Sequence, residues 1–196
     1  MASLDDTVDA AFEPLRGRPG VDRTAAVVSN LADYGFVWVF LALWKARRRG
    51  PRRRRAVLAL GAAGVSSLVA SRAAKSMVAR QRPEEHLEAN VRVPTSSSFP
   101  SGHTLAAFCT AVVLAETDTQ TAVYGTFAAA VAASRVHLRA HHPTDVVGGA
   151  VVGTVLGLGL RPVVDLLTPG ARAGRRRGGR GDGQGMGTQS YLLQQL

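Results

Sequence analysis

The segment FVWVFLALWKARRRGPRRRRAVLALGAAGVSSLVA, residues 36–70, places a block of arginines between two apolar runs. A hydrocarbon core about 30 Å thick needs roughly 20 helical residues to cross it. With their flanking residues the two runs cover 24–44 and 56–78, so each is long enough for one crossing. Loops rich in Lys and Arg stay on the cytoplasmic side. The segment therefore predicts two transmembrane helices joined by a cytoplasmic loop at 45–55.

Three further apolar runs, at 103–116, 120–136 and 145–167, predict a five-span, all-α membrane bundle. The first two are short, so they would have to sit within a compact bundle. A second set of arginines follows the fifth run: Arg172, Arg175, Arg176, Arg177 and Arg180. Five crossings put both basic blocks and the ETDTQ link on the cytoplasmic side. Residues 79–102, residues 137–144 and the N-terminus then fall on the opposite face.

Composition alone conceals this pattern. The chain has 196 residues, of which 46% are apolar and 19% charged, as in a soluble protein, and its net charge is +10. Because the arginines lie in short blocks beside apolar runs, they are typical of membrane flanks, and we expect no nucleic-acid partner. A soluble protein with very apolar helices is the weaker alternative. The single cysteine, Cys109, lies in an apolar run without a Cys/His cluster, which favours a buried hydrophobe and no metal site.

The termini predict two small additions to the membrane domain. Residues 4–16 alternate apolar and acidic positions at helical spacing, which predicts an amphipathic helix along the membrane surface, and no cleavable signal peptide is apparent. The end of the chain is rich in Gly and Arg, which predicts a disordered cytoplasmic tail. The expected division is an interfacial helix in 1–23, a membrane domain in 24–168 and a tail in 169–196.

Some residues inside the spans are unusual for a membrane helix. Asn30 and Asp33 are polar, and we expect them to face the bundle interior or a wet cavity, with no role assigned. Gly149, Gly153 and Gly157 recur every four residues and allow a neighbouring helix to approach closely. That neighbour could belong to the same chain or to a second copy, so the oligomeric state stays open.

Two polar clusters lie on the predicted extracytoplasmic side. The first is Lys75-SMVARQ-Arg82-Pro83. Its two basic residues lie about two helical turns apart and can share a face, while the proline ends the helix. The second is Pro100-Ser101-Gly102-His103, at the start of the third run. A serine can cap this helix, a glycine permits close approach of a ligand, and the helix N-terminus attracts anions.

A third cluster, Ser134-Arg135-VHLRA-His141-HPT-Asp145, joins the fourth run to the fifth. An aspartate four residues after a histidine can hydrogen-bond the imidazole and fix its tautomer. The same aspartate, at the start of a helix, could instead serve as a cap.

Together the three clusters resemble the type 2 phosphatidic acid phosphatase family, whose pattern is K-x6-RP, PSGH and SR-x5-H-x3-D. Every position matches within residues 75–145, in order and spacing. The resemblance implies a metal-independent phosphatase with no cofactor and a phosphohistidine intermediate. It implies that His141 is the nucleophile, that Asp145 orients it, and that His103 protonates the leaving oxygen and then activates water. It also implies a phosphate-binding set of Lys75, Arg82, Arg135 and backbone amides near Ser101 and Gly102.

Neighbouring basic residues need a separate interpretation. The motif spacing selects His141 over His142, which should point elsewhere. For His86, His137 and Arg139 we expect solvated or headgroup-facing positions.

The resemblance leaves the substrate open. It implies an enzyme of the bacterial cell membrane, with its active site on the extracytoplasmic face and a membrane lipid as partner. A polyprenyl-linked phosphate, such as decaprenylphosphoryl-phosphoribose or undecaprenyl diphosphate, is favoured, and phosphatidic acid or phosphatidylglycerol phosphate is the alternative. Vanadium haloperoxidases share this constellation but are larger and soluble. A non-catalytic lipid-phosphate binder would have no need of the full set of histidines.

Overall fold

The computed structural model describes residues 3–32, 35–47, 49–83 and 97–171. Every regular element in these ranges is helical, which confirms the predicted all-α bundle. The α-helices, with a short 3-10 helix at Glu13–Leu15 after the first, are α1 Leu4–Phe12, α2 Pro19–Ala32, α3 Phe36–Ala46, α4 Pro51–Met77, α5 Gly102–Leu114, α6 Asp118–His137 and α7 Pro143–Leu167.

The predicted spans differ in how well they suit a membrane. α4 and α7 are each long and apolar enough to cross one. The first predicted span, 24–44, is divided between α2 and α3, whose axes differ by 57° and which together form a third candidate. Gly35 is the N-cap residue of α3 and has φ 67°, a left-handed conformation. Glycine adopts this conformation readily, and it does not continue a right-handed helix.

The two short predicted spans fall below the requirements for an isolated transmembrane helix. α5 has 13 residues, about 20 Å of helix, and α6 has 20 residues but is not apolar enough. α5 packs against α4, α6 and α7, and eight of its residues are buried. Its short length is tolerated because other helices, rather than lipid, cover most of its surface. Cys109 is buried within it, as expected.

Two faces of α7 have opposite properties. A Cβ atom on Gly153 would lie 2.3 Å from the carbonyl oxygen of Leu105, and one on Gly149 would lie 2.6 Å from the carbonyl oxygen of Ser101. The glycine stripe therefore brings α5 and α7 of the same chain into backbone contact. An exposed apolar face, with Val147, Val151, Val155 and Leu158, is suited to lipid.

A buried polar cluster ties the helices together at the end opposite to the three motifs. Arg55 is 1% exposed, and its guanidinium donates to Asp165 Oδ1 at 2.9 Å and to the carbonyl of Val113 at 3.1 Å. Lys45 Nζ donates to the carbonyl of Leu114 at 2.6 Å and lies 3.1 Å from Glu116 Oε1. One arginine of the basic block is thus part of the core.

The N-terminal helix forms as predicted, and two of its acidic residues, Asp5 and Asp9, contact other parts of the protein. Asp9 of α1 pairs with Arg16. Arg16 also donates to the carbonyls of Val136 and His137, both at 3.1 Å. These contacts fasten α1 to the C-terminal end of α6.

One expectation about an individual side chain is wrong. His137, expected to be solvated or to face the headgroups, is 3% exposed, and its Nε2 lies 2.7 Å from Asp22 Oδ1. Asn30, expected to face the bundle interior or a wet cavity, is exposed on α2 and does not lie in the interior. Arg139 donates to Glu13 at 2.9 Å. Asp33, His86 and the predicted tail from residue 172 onwards lie outside the described residues.

Candidate active site

Three helix ends converge to form the candidate site. Lys75 lies in the last turn of α4, and Arg82 follows shortly after that helix. His103 lies in the first turn of α5. His141 precedes α7, and Asp145 lies in its first turn. The structure thus brings together the three motifs that lie far apart in the sequence.

Ser98 lies between the predicted nucleophile and its predicted partner. His141 Nδ1 is 3.8 Å from Asp145 Oδ2, which is within ion-pair range but longer than a hydrogen bond. The hydroxyl of Ser98 lies 3.4 Å from the same nitrogen and donates to Asp145 Oδ2. Ser98 therefore links the imidazole to the carboxylate.

The contact between Arg82 and His141 determines which ring nitrogen carries the proton. Arg82 Nη1 lies 3.1 Å from His141 Nε2 and also donates to the carbonyl of Ala140 at 2.8 Å. A guanidinium has only donors, so Nε2 must accept and must be unprotonated. The proton of the neutral ring is then on Nδ1, facing Ser98 and Asp145. This is the tautomer that a nucleophilic Nε2 requires.

The surroundings of His141 favour its neutral form. Burial lowers the pKa of His141 to about 4. The nearby negative charge of Asp145 opposes this shift, while the charges of Arg82 and Arg135 add to it. The imidazole therefore keeps its lone pair at neutral pH.

Asp145 combines the two roles that the sequence left open. Its Oδ2 accepts the backbone N–H of His142 at 2.9 Å, which caps the start of α7. Its Oδ1 accepts from Arg80 Nη1 at 2.7 Å. The residue is fully buried, so these contacts hold the carboxylate in one orientation. Capping the helix and facing His141 are compatible functions of the same side chain.

A cavity of about 570 Å³ opens beside His141. The polar residues Lys75, Arg82 and His103 lie at one part of its wall, together with Gly102. The rest is largely apolar or small: Ala32, Gly35, Trp38, Val39, Leu60, Gly64, Ser67, Leu68, Ser71, Ala106, Ala107 and Thr110. This combination suits an anionic group attached to an apolar chain.

Two members of the predicted phosphate-binding set are not part of that wall. Ser101 is fully buried, and its amide donates to the carbonyl of Asp145 at 3.0 Å, so it is occupied in joining α5 to α7. Of the backbone amides near Ser101 and Gly102 that were expected to contact phosphate, the Ser101 amide is therefore occupied, and the phosphate-binding role stays a prediction. Arg135 is also fully buried and donates to the hydroxyl of Ser29 in α2. It acts on the site through its charge.

Sequence reasoning missed Ser98 and Arg80. Ser98 belongs to the serine run before Pro100, and Arg80 lies in the unassigned interval of the first motif. Neither residue lies at a sequence spacing from Asp145 that predicts a contact, because both are brought to Asp145 by the tertiary fold. In the described part of the chain, no three His, Cys, Asp or Glu side chains are grouped in a way that could hold a metal ion.

Comparison with known proteins agrees with this geometry. The family model described as the PAP2 superfamily matches residues 54–168. The chain belongs to the PAP2 superfamily. It is 37% identical to decaprenylphosphoryl-5-phosphoribose phosphatase of Mycolicibacterium smegmatis over 74% of this chain and 80% of that protein. It is 32% identical to the protein of that name in Mycobacterium tuberculosis, over 86% and 92% of the two chains.

Two solved structures, one of them of the PAP2 type, have a similar fold. The transmembrane phosphatidylglycerolphosphate phosphatase of Bacillus subtilis matches with a TM-score of 0.67 and 25% identity, over 85% of this chain and 86% of that one. LpxE of Aquifex aeolicus matches with a TM-score of 0.58 and 24% identity, over 80% and 94%. This PAP2 member is a membrane lipid phosphatase, which confirms the family and the enzyme class predicted from the motifs.

Proposed function

We propose that this PAP2 enzyme hydrolyses the phosphomonoester of a polyprenyl-linked sugar phosphate through a phosphohistidine on His141. The observation that carries the proposal is the position of His141. Its unprotonated Nε2 adjoins a cavity. One part of the cavity wall has cationic side chains, and most of the rest has apolar side chains. A lipid phosphate entering with its tail in the apolar part would present phosphorus to that nitrogen.

The proposed reaction has two displacements at phosphorus. First, Arg82 passes its hydrogen bond from Nε2 to a phosphoryl oxygen, His141 Nε2 attacks phosphorus, the bond to the leaving oxygen breaks, and His103 gives that oxygen a proton. Water then attacks the phosphohistidine, His103 accepts its proton, and the N–P bond breaks to release phosphate. Asp145, through Ser98 and at ion-pair distance, stabilises the positive charge on the ring.

Cationic side chains are proposed to balance the charge of the transferred phosphoryl group. Lys75, Arg82 and the first-turn amide of Gly102 line the cavity and would contact the phosphoryl oxygens. Arg135 would contribute charge from its buried position. We therefore expect phosphate release in the presence of EDTA.

The substrate class rests on the cavity and on the relatives. The apolar wall formed by α3, α4 and α5 fits an isoprenoid tail. The two mycobacterial relatives carry the name decaprenylphosphoryl-5-phosphoribose phosphatase, so that lipid is our first candidate. Undecaprenyl diphosphate, phosphatidic acid and phosphatidylglycerol phosphate are the competing substrates.

The proposed location of the site is the extracytoplasmic face of the bacterial cell membrane. Arg55 and Lys75 are 20 residues apart on α4, which is about 30 Å of helix. That length equals the hydrocarbon thickness. Because the arginine block should stay in the cytoplasm, the site at the other end of α4 would face outward.

The test measures phosphate release from the four lipids in detergent with EDTA. We expect the highest kcat/KM for decaprenylphosphoryl-5-phosphoribose, and a phosphoenzyme that is stable in base and labile in acid. His141→Ala should abolish both signals, whereas His142→Asn should retain them. Hydrolysis by the His141→Ala variant, or preference for a diacyl lipid, would contradict the proposal.

A further inference from the structure

Arg80 makes three polar contacts beside the candidate active site. Its Nη1 donates to Asp145 Oδ1 and to Thr144 Oγ1, both at 2.7 Å. Its Nη2 donates to Asp5 Oδ2 at 2.6 Å. Arg80 is not among the described residues that line the cavity beside His141, so any effect on the reaction must pass through a neighbour.

Asp5 of α1 holds Arg80 and the start of α7 at the same time. Its Oδ1 accepts the backbone N–H of Thr144 at 2.8 Å, and its Oδ2 accepts the Thr144 hydroxyl at 2.9 Å as well as Arg80. Burial acts to raise the pKa of Asp5, but the bonds from Thr144 and Arg80 outweigh it and lower the pKa. Asp5 is therefore ionised at neutral pH and can pair with the guanidinium.

The two oxygens of Asp145 consequently have different partners. Oδ1 faces Arg80, while Oδ2 faces Ser98, the His142 amide and the ring of His141. A carboxylate held on both oxygens cannot rotate about χ2 without losing a charge-assisted bond. The contact with Arg80 thus keeps Oδ2 directed toward the histidine.

We propose that Arg80, held by Asp5, is a positioning residue for Asp145, so that the N-terminal helix α1 supports the geometry of the active site. The inference rests on the proposed roles of Asp145 and His141. It differs from simple anchoring of α1, in which loss of the contact would lower stability and leave turnover unchanged.

The experiment compares Arg80→Gln, Arg80→Lys, Asp5→Asn and the double variant Asp5→Asn/Arg80→Gln in the full-length protein. Asp6→Asn is the matched control, since Asp6 is adjacent on α1 but, among the residues that the structure describes, forms hydrogen bonds only with Ser3. Measurements are kcat, KM, the rate of phosphoenzyme formation and the apparent Tm in detergent, with decaprenylphosphoryl-5-phosphoribose or, if it is not cleaved, the best of the four lipids.

We expect Arg80→Gln to lower kcat and phosphoenzyme formation by about 10- to 100-fold, as for small misplacements of a reacting group, with KM within about twofold. Arg80→Lys should recover part of the loss, because it keeps the charge. Asp5→Asn should cause a smaller loss that disappears in the Arg80→Gln background, since Asp5 acts through Arg80. Asp6→Asn should match the wild type.

Three results would overturn the inference: a lower Tm with unchanged kcat, a rise in KM alone, or additive losses in the double variant. If Arg80→Gln does not fold, the Arg80→Lys and Asp5→Asn variants decide by the same criteria. His141→Ala, run in parallel, separates the two proposals. An inactive His141→Ala with a fully active Arg80→Gln refutes only the role of Arg80, whereas an active His141→Ala refutes the proposed mechanism.

Discussion

Nη1 of Arg82 lies 3.1 Å from Nε2 of His141, so a residue of the first motif is in direct contact with one of the third. Because the guanidinium can only donate, the contact selects the tautomer with an unprotonated Nε2, whose lone pair accepts from Arg82. Arg82 also donates to the carbonyl of Ala140, next to the histidine. The side chain that is proposed to bind phosphate thus fixes the tautomer of the proposed nucleophile, and its hydrogen bond must pass from Nε2 to a phosphoryl oxygen before attack.

The pH dependence of kcat/KM should reveal the unusual environment of His141. Burial lowers the pKa of its imidazole to about 4. As pH falls through that value, Nε2 gains a proton and loses the lone pair, so kcat/KM should fall below about pH 4 rather than near 6.5. The profile is measured from pH 3 to 8. The pKa of the substrate phosphate is determined separately by 31P NMR, and the kcat/KM profile is corrected for the ionisation of the substrate. An acid limb at pH 6.5 after that correction would contradict the expected environment.

Replacement of Arg82 should affect the chemical step strongly. Arg82→Gln removes a cation from the cavity and the donor facing His141, and we expect kcat/KM to fall by about 10²- to 10³-fold. Arg82→Lys restores the charge but not the planar fork, so its loss should be intermediate. Arg72→Lys is a suitable control, because Arg72 is an exposed arginine of α4 that lies about one turn before Lys75. Equal activities of the two Arg82 variants would argue against a geometric role for the guanidinium.

The predictable part of the candidate site consists of residues with fixed local spacings. His141 and Asp145 are separated by four positions at a helix start, and their proximity follows from local structure. Ser98 and Arg80 reach the same carboxylate across longer separations, which no local pattern encodes. Ser101 has the expected helix-start position, yet its amide is used by α7. Competition between a ligand and a packing contact is decided only by the tertiary structure.

The all-helical architecture of the bundle was predictable, but its detailed geometry was not. The apolar run at 24–44 contains no proline that would predict a kink, so the 57° angle between α2 and α3 was not expected. Arg55 is indistinguishable in sequence from the three arginines before it. It is buried because Asp165 and Glu116 lie opposite it in the folded chain. Such partners are distant in sequence and carry no motif.

Close contact between α5 and α7 should make Gly153 intolerant of even a methyl group. A Cβ atom there would lie 2.3 Å from the carbonyl oxygen of Leu105, and backbone on both sides limits relaxation. We expect Gly153→Ala to destabilise the protein by about 1–3 kcal/mol. Gly159→Ala, in the same helix with open space around it, should be neutral or stabilising by up to about 1 kcal/mol. Thermal unfolding in detergent measures the difference, and equal Tm values would contradict the close packing.

The buried cluster at the other end of the bundle should control stability without affecting catalysis directly. Arg55→Gln removes the cation that contacts Asp165 and Glu116, and breaking a buried charged network in this way costs about 3–5 kcal/mol. Arg54→Gln is the matched control, since Arg54 is exposed in the same block. Adding Asp165→Asn should recover part of the loss, because one uncompensated carboxylate is then removed. Lys75 is about 30 Å of helix away from Arg55, so the folded fraction of Arg55→Gln should keep its KM. A stable Arg55→Gln protein, or one whose KM rises while its Tm is unchanged, would show that the cluster does not hold the helices together as described.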